Sequence, residues 1–299
     1  MYLTTVINYC TNDYRYLAKC IQEASIFSQK IVLPVCDHFF DGKKEDRDLL
    51  NLSYAGHTHC QFVEFAYHPS ELYSPFILRK PADLDWKMFW YSTARYVSFF
   101  FLPPETEYVL FLDVDEIVEG QKFAAWLSTK EYLQHDAFRF DSYYYFREAK
   151  YRAREYHHLA LLIKKELLTP SLILNPDDRY GMLARASGKK REEVRSLDNK
   201  PMIHHYSGVK TKEEWVKKAD CSGHDWEKEW KIHIDEEFKR PFNGKDFTFD
   251  CTYETVEPFF DPLAVTVNGA PAQNGPFPHV CKVDKREIFQ RDLQFQFGV

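Results

Sequence analysis

The chain of 299 residues holds 39 Lys and Arg against 45 Asp and Glu, for a net charge of −6, with 44% hydrophobic and 17% aromatic residues. That composition is too hydrophobic for disorder and the net charge makes nucleic acid an unexpected partner, while the length allows one large α/β domain or two small ones, with a substantial core. No apolar run approaches the roughly 20 residues of a membrane-spanning helix, and YVSFFFL at 96–102 falls far short of it.

Leu3 to Tyr9 is a β-branched strand candidate, followed by a polar turn at Thr11-Asn12-Asp13 and by Tyr14, Leu17, Ile21, Ala24 and Phe27 at helical spacing. Residues 29–35 give the next strand, ending at Cys36-Asp37, and 59–67 alternate like a third. Strand, helix and strand within 36 residues make a βαβ unit, hence a parallel sheet with right-handed crossovers. Residues 84–102 repeat apolar positions at three and four, the pattern of an amphipathic helix stopped by Pro103-Pro104. A helix is expected over 122–127, and strands over 137–146, 158–164 and 172–178. Residues 187–200 are almost entirely polar and read as an exposed loop or loose helix, with 181–200 expected as a mobile flap. Residues 201–209 return to strand character, and Thr211 with Glu214 form a capping box that starts a helix through Lys218. With no internal repeat and no clean domain boundary, the chain is expected to form one domain, residues 1–244, with a turn-rich extension, 245–299, packed on it.

Seven cysteines are scattered singly with no C-x-x-C pair, and the opening MYLTTVINYC has neither a basic segment nor a small-residue cleavage site. These features are expected of reduced thiols in a cytoplasmic protein without a transmembrane segment, peripheral membrane contact being left open.

The stretch that concentrates chemistry is YVLFLDVDEIVEG, residues 108–120. Val109 to Leu112 read as a strand buried on both faces, ending in Asp113, Val114, Asp115 and Glu116. Carboxylates at the carboxyl end of a buried strand lie where an open α/β sheet places its ligands. Alternation puts Asp113 and Asp115 on one side with Val114 turned away. Two such groups suit a hard cation, Mn²⁺ or Mg²⁺, whose shell phosphates complete.

The chain resembles a nucleotide-sugar glycosyltransferase of the GT-A type, similar to family-2-like bacterial enzymes. The resemblance is carried by VINYCTNDYRYLAKCIQEA, by the strand ending at Asp37, by the helix bearing Ala94-Arg95 and by FLDVDEIVEG. A second patch, IHHYSGVKTKEEWVKK, is similar to a His-Tyr segment late in such catalytic domains. The resemblance implies a GT-A (Rossmann-like), mostly parallel sheet flanked by helices, with a C-terminal extension. It also implies a metal held by Asp115, Asp113 and His205, and a donor nucleotide at Asn8, Tyr9, Cys10, Thr11, Asp37, Arg95, Asp113 and Val114. The reaction expected is transfer from a nucleotide diphosphate sugar, a UDP-sugar first, to a hydroxyl on a glycan, glycolipid or protein. A carboxylate base for the acceptor hydroxyl is sought at Asp178 and Asp177, then Asp141.

Tyr143, Tyr144, Tyr145 and Phe146, with Trp215, Trp226 and Trp230, offer an aromatic acceptor platform or simply core. Lys210, Lys212, Lys217 and Lys218 read as a solvated helix face that could also lend phosphate charge. Two rival readings are a nucleotidyltransferase and a catalytically degenerate, carbohydrate-binding GT-A protein. The first would normally show a Gly-rich basic phosphate loop, which NYCTNDYR is not.

Overall fold

The computed structural model describes residues 1–39, 42–66, 86–175, 177–221, 230–265 and 276–284, with the backbone alone described at 86–90. The first half supplies β1 (Leu3–Asn8), α1 (Tyr14–Ala24), β2 (Lys30–Cys36), α2 (Arg47–Gly56), β3 (Gln61–Phe65) and α3 (Trp86–Phe99). The acidic stretch forms β4 (Tyr108–Asp113) and β5 (Glu116–Val118), followed by α4 (Gly120–Ser128). Then come β6 (Ala137–Phe146), β7 (Tyr151–Lys164), α5 (Pro170–Ile173), α6 (Asp178–Arg185), β8 (Lys190–Val194) and β9 (Ile203–Gly208). The described elements end with α7 (Lys212–Cys221), α8 (Trp230–Phe238), β10 (Tyr253–Thr255) and β11 (Val280–Val283).

All of these strands join one sheet in the order β11-β3-β2-β1-β4-β7-β6-β9-β5, with β10 on β7 and β8 on β6. Strands β11, β3, β2, β1 and β4 run parallel, and β7 enters antiparallel beside β4. The expected fold class, a mostly parallel sheet flanked by helices, is the one observed.

Strand alternation divides the core into two layers. On one face Leu3, Ile7, Leu33, Leu110 and Leu112 pack with Leu17 and Ile21 of α1, Leu50 and Tyr54 of α2, and Phe123 and Trp126 of α4. On the other, Val6, Val32, Val63, Val109 and Phe111 pack with Tyr96 and Val97 of α3 and with Met182 and Leu183 of α6. Since β1 and β4 are parallel and in register, with Asn8 opposite Asp113, their polar ends emerge at the same sheet edge.

Three expectations need correction. Residues 172–178, expected as one strand, instead hold the end of α5 and the start of α6, with Pro176 outside the described residues: Thr169 Oγ1 accepts the Leu172 N–H at 3.2 Å, with Pro170 opening α5, and α6 starts at Asp178. A short apolar run such as Leu172-Ile173-Leu174 serves a buried helix as well as a strand, and here capping decided. The polar 187–200 stretch contains β8, which pairs with β6, so the segment expected as a flap carries the end of α6 and a sheet strand. β7 begins at Tyr151, because its polar first half is paired with β6 and β10.

Elsewhere the expectations agree closely. The capping box forms in full, with Thr211 N–H donating to Glu214 Oε2 at 2.8 Å and Glu214 N–H to Thr211 Oγ1 at 3.3 Å. The expected strand through 67 is described to Phe65, and Tyr67 lies outside the described residues. Within 245–299, β10 and β11 add to the same sheet as the rest of the chain.

Candidate functional site

Two clusters meet at the carboxyl ends of β1 and β4. The first surrounds Asp113. Its Oδ1 accepts from Arg95 Nη2 at 2.9 Å, and its Oδ2 accepts from Arg179 Nη2 at 2.9 Å and from the Tyr91 hydroxyl. Arg179 also donates to both oxygens of Glu116, with Oε1 at 2.8 Å, and reaches the Phe111 carbonyl at 3.4 Å. Arg95 pairs in addition with Asp178, so that α3, α6 and the strand end share one ionic network.

Both guanidiniums are almost fully buried, at 1% and 4% side-chain exposure. Burial opposes ionisation of Asp113, but Arg179 and Arg95 outweigh it and hold the carboxyl down to about 2. Glu116, fully enclosed, is instead pushed up by burial despite Arg179. Gly181 leaves room for the Asn175 and Arg185 side chains beside α6: a Cβ there would lie 2.0 Å from Asn175 Oδ1. Asn175 ties the turn before α6 by donating to the Leu172 carbonyl at 2.7 Å and the Asp178 carbonyl at 2.9 Å.

The second cluster surrounds Asp115, two residues on. The imidazole Nε2 of His205, on β9, lies 3.8 Å from Asp115 Oδ1. The Tyr206 N–H donates to the Asp115 carbonyl at 2.9 Å, which fixes this strand against the acidic turn. Burial, followed by the charge of Asp13, raises the Asp115 carboxyl to about 7. His205 is held well below its ordinary value, mainly by burial, and so presents a neutral imidazole.

Two lysines face this group. Lys210 is buried and donates to Asp13 Oδ1 at 2.6 Å, while Lys218 Nζ donates to the Ser207 carbonyl at 3.1 Å. Burial and the neighbouring Lys210 lower Lys218 from its usual value. The solvated lysine face expected from the sequence is therefore wrong for Lys210, because the turn after β9 points it inward. Several buried polar atoms here lack a hydrogen-bond partner: both side-chain polar atoms of Asn8, Asn12 Oδ1 and His205 Nδ1. Buried polar groups left unpaired cost stability, and a cluster of them at one sheet edge suits a bound ligand.

The other expected residues fall into place around these clusters or away from them. Thr11 donates from its N–H to Glu45 Oε2 at 3.1 Å and from its hydroxyl to the same atom, and Cys10 Sγ lies 3.7 Å from Asp13. Burial pushes Glu45 up to about 7 against these hydrogen bonds. Asp37 follows β2 directly, beside His38, whose Nδ1 is 2.8 Å from its Oδ1. The Val114 N–H donates to the Asn8 carbonyl at 3.0 Å. Tyr9, expected at the nucleotide, is a core residue whose hydroxyl meets Ser53 Oγ at 2.7 Å, because strand alternation turns it inward.

Of the three candidate bases, Asp178 joins the arginine network. Asp177 pairs with Arg185 at 2.6 Å on the surface. Asp141 is fully buried against His158 Nδ1, at 2.7 Å, and Arg195. The tyrosines of β6, Phe146 and Trp215 are packed in the core rather than forming a platform, and Trp226 lies outside the described residues. His204 is likewise structural, between Tyr145 (2.7 Å) and Glu119 (3.0 Å). The sequence reading missed Arg179, Tyr91 and Glu45. Only the adjacency of Arg179 to Asp178 hinted at any of them.

Among the described residues, no group of three His, Cys, Asp or Glu could hold a metal on protein ligands alone. The pair that fits a divalent cation is Asp115 with the neutral His205, leaving several positions for ligand oxygens.

No protein-family model and no curated protein sequence matches the chain. Among solved structures it is similar, over 80% of its length, to a 4-diphosphocytidyl-2C-methyl-D-erythritol synthase from Anaerococcus prevotii, at 9% identity and TM-score 0.42, covering 99% of that chain. It is also similar over 80% to residues 1–349 of S. aureus TarS in complex with UDP, at 13% identity and TM-score 0.42, covering 71% of that chain. A third is the glycosyltransferase GlyE of Streptococcus pneumoniae, with 80% of this chain and 64% of that one covered at 13% identity and TM-score 0.38. These partial overlaps leave the chemistry to be read from the residues described above. Among the described residues, no helix is long and apolar enough to cross a membrane.

Proposed function

We propose that the chain is a metal-dependent glycosyltransferase of the GT-A type, moving a sugar from a nucleotide diphosphate sugar, a UDP-sugar first, to a hydroxyl on a glycan, glycolipid or protein. The observation that carries this reading is the pairing of Asp115 with a neutral His205 at the carboxyl end of β4, beside Lys210 and Lys218. Asp115 and His205 would hold Mn²⁺ or Mg²⁺, and the donor's phosphate oxygens would complete the shell. When bound, the cation supplies Lewis-acid stabilisation to the leaving diphosphate. Lys218 adds positive charge from α7, and Lys210 does so while anchored by Asp13. Asn8 brings both unpaired amide atoms to the same edge and Asn12 its unpaired Oδ1, the Asn8 Nδ2 suited to donate to a phosphate or ribose oxygen and the two oxygens to accept from ribose hydroxyls.

The test is thermal stabilisation by UDP, GDP, CMP and their sugars, with and without Mn²⁺, on the wild type and Asp115→Asn. A ligand that binds only the folded state raises the melting temperature by mass action. One nucleotide stabilising only with Mn²⁺, and not in Asp115→Asn, is expected. Stabilisation by none of them defeats the proposal.

A further inference from the structure

We propose that the imidazole of His157 is the base that takes the proton from the acceptor hydroxyl, supported from behind by Cys251 and the turn built on Asp246. This inference rests on the transferase reading and fills a place for which the sequence suggested only carboxylates. Those carboxylates are occupied: Asp178 pairs with Arg95, Asp177 with Arg185, and Asp141 is fully buried against His158 and Arg195.

His157 lies close to the candidate site. Its ring stacks on Tyr144 with centroids 4.6 Å and planes 3° apart, and the Tyr144 ring is in turn 5.5 Å from that of His205. With His205 Nε2 at 3.8 Å from Asp115 Oδ1, one tyrosine ring separates His157 from the Asp115 cluster. On β7 the Ser142 hydroxyl donates to the His157 carbonyl at 3.0 Å and holds the residue in register. The imidazole is half-buried, and its Nδ1 makes no hydrogen bond among the described residues.

The other ring nitrogen is engaged. Nε2 lies 3.7 Å from Cys251 Sγ, and the Phe249 ring meets the imidazole edge-on at 4.9 Å. Both residues belong to a turn organised by the buried Asp246. Its carboxylate accepts from the N–H groups of Thr248, Phe249 and Cys251 and from the hydroxyls of Thr248 and Tyr253. With Nε2 protonated and turned to the sulfur, Nδ1 carries the lone pair, because the contact of one ring nitrogen sets the tautomer of the other.

The charges around the ring suit the role. Burial and the adjacent His158 lower its proton affinity, while Asp246 and Glu155 work the other way. Tyr144, Cys251 and the neutral His205 complete the surroundings without adding charge. The imidazole is therefore neutral before the reaction, and two carboxylates steady the imidazolium that forms. In the step, Nδ1 removes the acceptor O–H proton as that oxygen bonds to the anomeric carbon. The bond from this carbon to the diphosphate oxygen breaks, its electron pair leaves with the nucleoside diphosphate, and the imidazolium returns its proton to water.

The experiment uses the nucleotide sugar that stabilises the wild type, with water and methyl β-glucopyranoside as acceptors and release of nucleoside diphosphate as the readout. His157→Gln should lower kcat by about 10²–10⁴-fold while the nucleotide-sugar Kd stays within about twofold. Imidazole added to His157→Ala should restore part of the rate, which a histidine needed only for packing would not allow. A His157→Gln kcat within about threefold of wild type, at unchanged Kd, overturns the inference and leaves the transferase reading intact. A wild type that binds the nucleotide sugar but releases no nucleoside diphosphate with either acceptor overturns it as well. A wild type stabilised by no nucleotide overturns both readings. Should the His157 variants fail to fold, Cys251→Ala decides: releasing Nε2 should lower kcat by about tenfold, and an unchanged kcat counts against the base.

Discussion

Two residues apart on one turn, Asp113 and Asp115 are held differently, the first by direct guanidinium pairs and the second with lysines acting on it only through their charge. Asp113 is closed: two arginines, a tyrosine and a glutamate complete its hydrogen bonding, and its carboxyl sits near 2. Asp115 is buried but lacks such pairs: its carboxyl is raised to about 7, its nearest imidazole has an unpaired Nδ1, and the neighbouring Asn8 amide has no partner. A satisfied buried ion cluster stabilises geometry, while an unsatisfied one beside it marks where a ligand completes the structure. The two halves of a D-x-D sequence can therefore serve different ends.

The sharpest way to break this contrast is Arg179→Met. Removing one partner of a buried ionic network should lower the unfolding free energy by about 3–5 kcal/mol in urea titration. A loss under about 1 kcal/mol would mean that the network is not structural.

Glu45, on the Asp115 side, should reveal itself through pH. With its folded value near 7, the folded chain holds a proton between pH 4.5 and 7 that the unfolded chain has released, so stability falls as pH rises through that window. Glu45→Gln should remove a slope of up to about 1.4 kcal/mol per pH unit, measured as the wild-type minus variant difference. Parallel curves would refute the assignment.

Lys218→Met should weaken the stabilising nucleotide by about tenfold in calorimetry, roughly 1.4 kcal/mol, with little change in ligand-free stability. Unchanged affinity would place the lysine outside the site. The smallest effect is expected for ligand-free Asp115→Asn, which should melt within about 1 kcal/mol of wild type or above it, because an unsatisfied site residue adds little to folding. A large destabilisation would erase the distinction between the two aspartates.

The architecture was legible where side-chain period and turn chemistry agreed. The first βαβ unit, the apolar run of β4 and the Thr211–Glu214 box each specify their own local structure, and each appears as read. Residues 172–178 were misread because Leu172-Ile173-Leu174 carries no period, so the decision passed to Thr169 and Pro170, whose capping role depends on the direction of the chain in space. At the site, Asp115 and His205 could be paired through the resemblance. The arginine network could not, since Arg179 reaches Asp113 across 66 positions and only the packing of α6 on β4 brings them together. Tyr9 and Lys210 show the same limit: each sits at the edge of an element, where one bond rotation separates pocket from core.

Strand β11 pairs in parallel with β3, Val280 lying opposite Phe62, and so caps the border of the sheet with residues made long after those they cover. Until residues 280–283 leave the ribosome, β3 exposes a row of unpaired amides and carbonyls next to a nearly complete parallel sheet. Such distant contacts form late and slowly. A chain stalled or cleaved before residue 280 would therefore present an adhesive border to other chains. Removing β11 should thus compromise solubility during synthesis even though Asp115 and His205, at the far strands, are untouched.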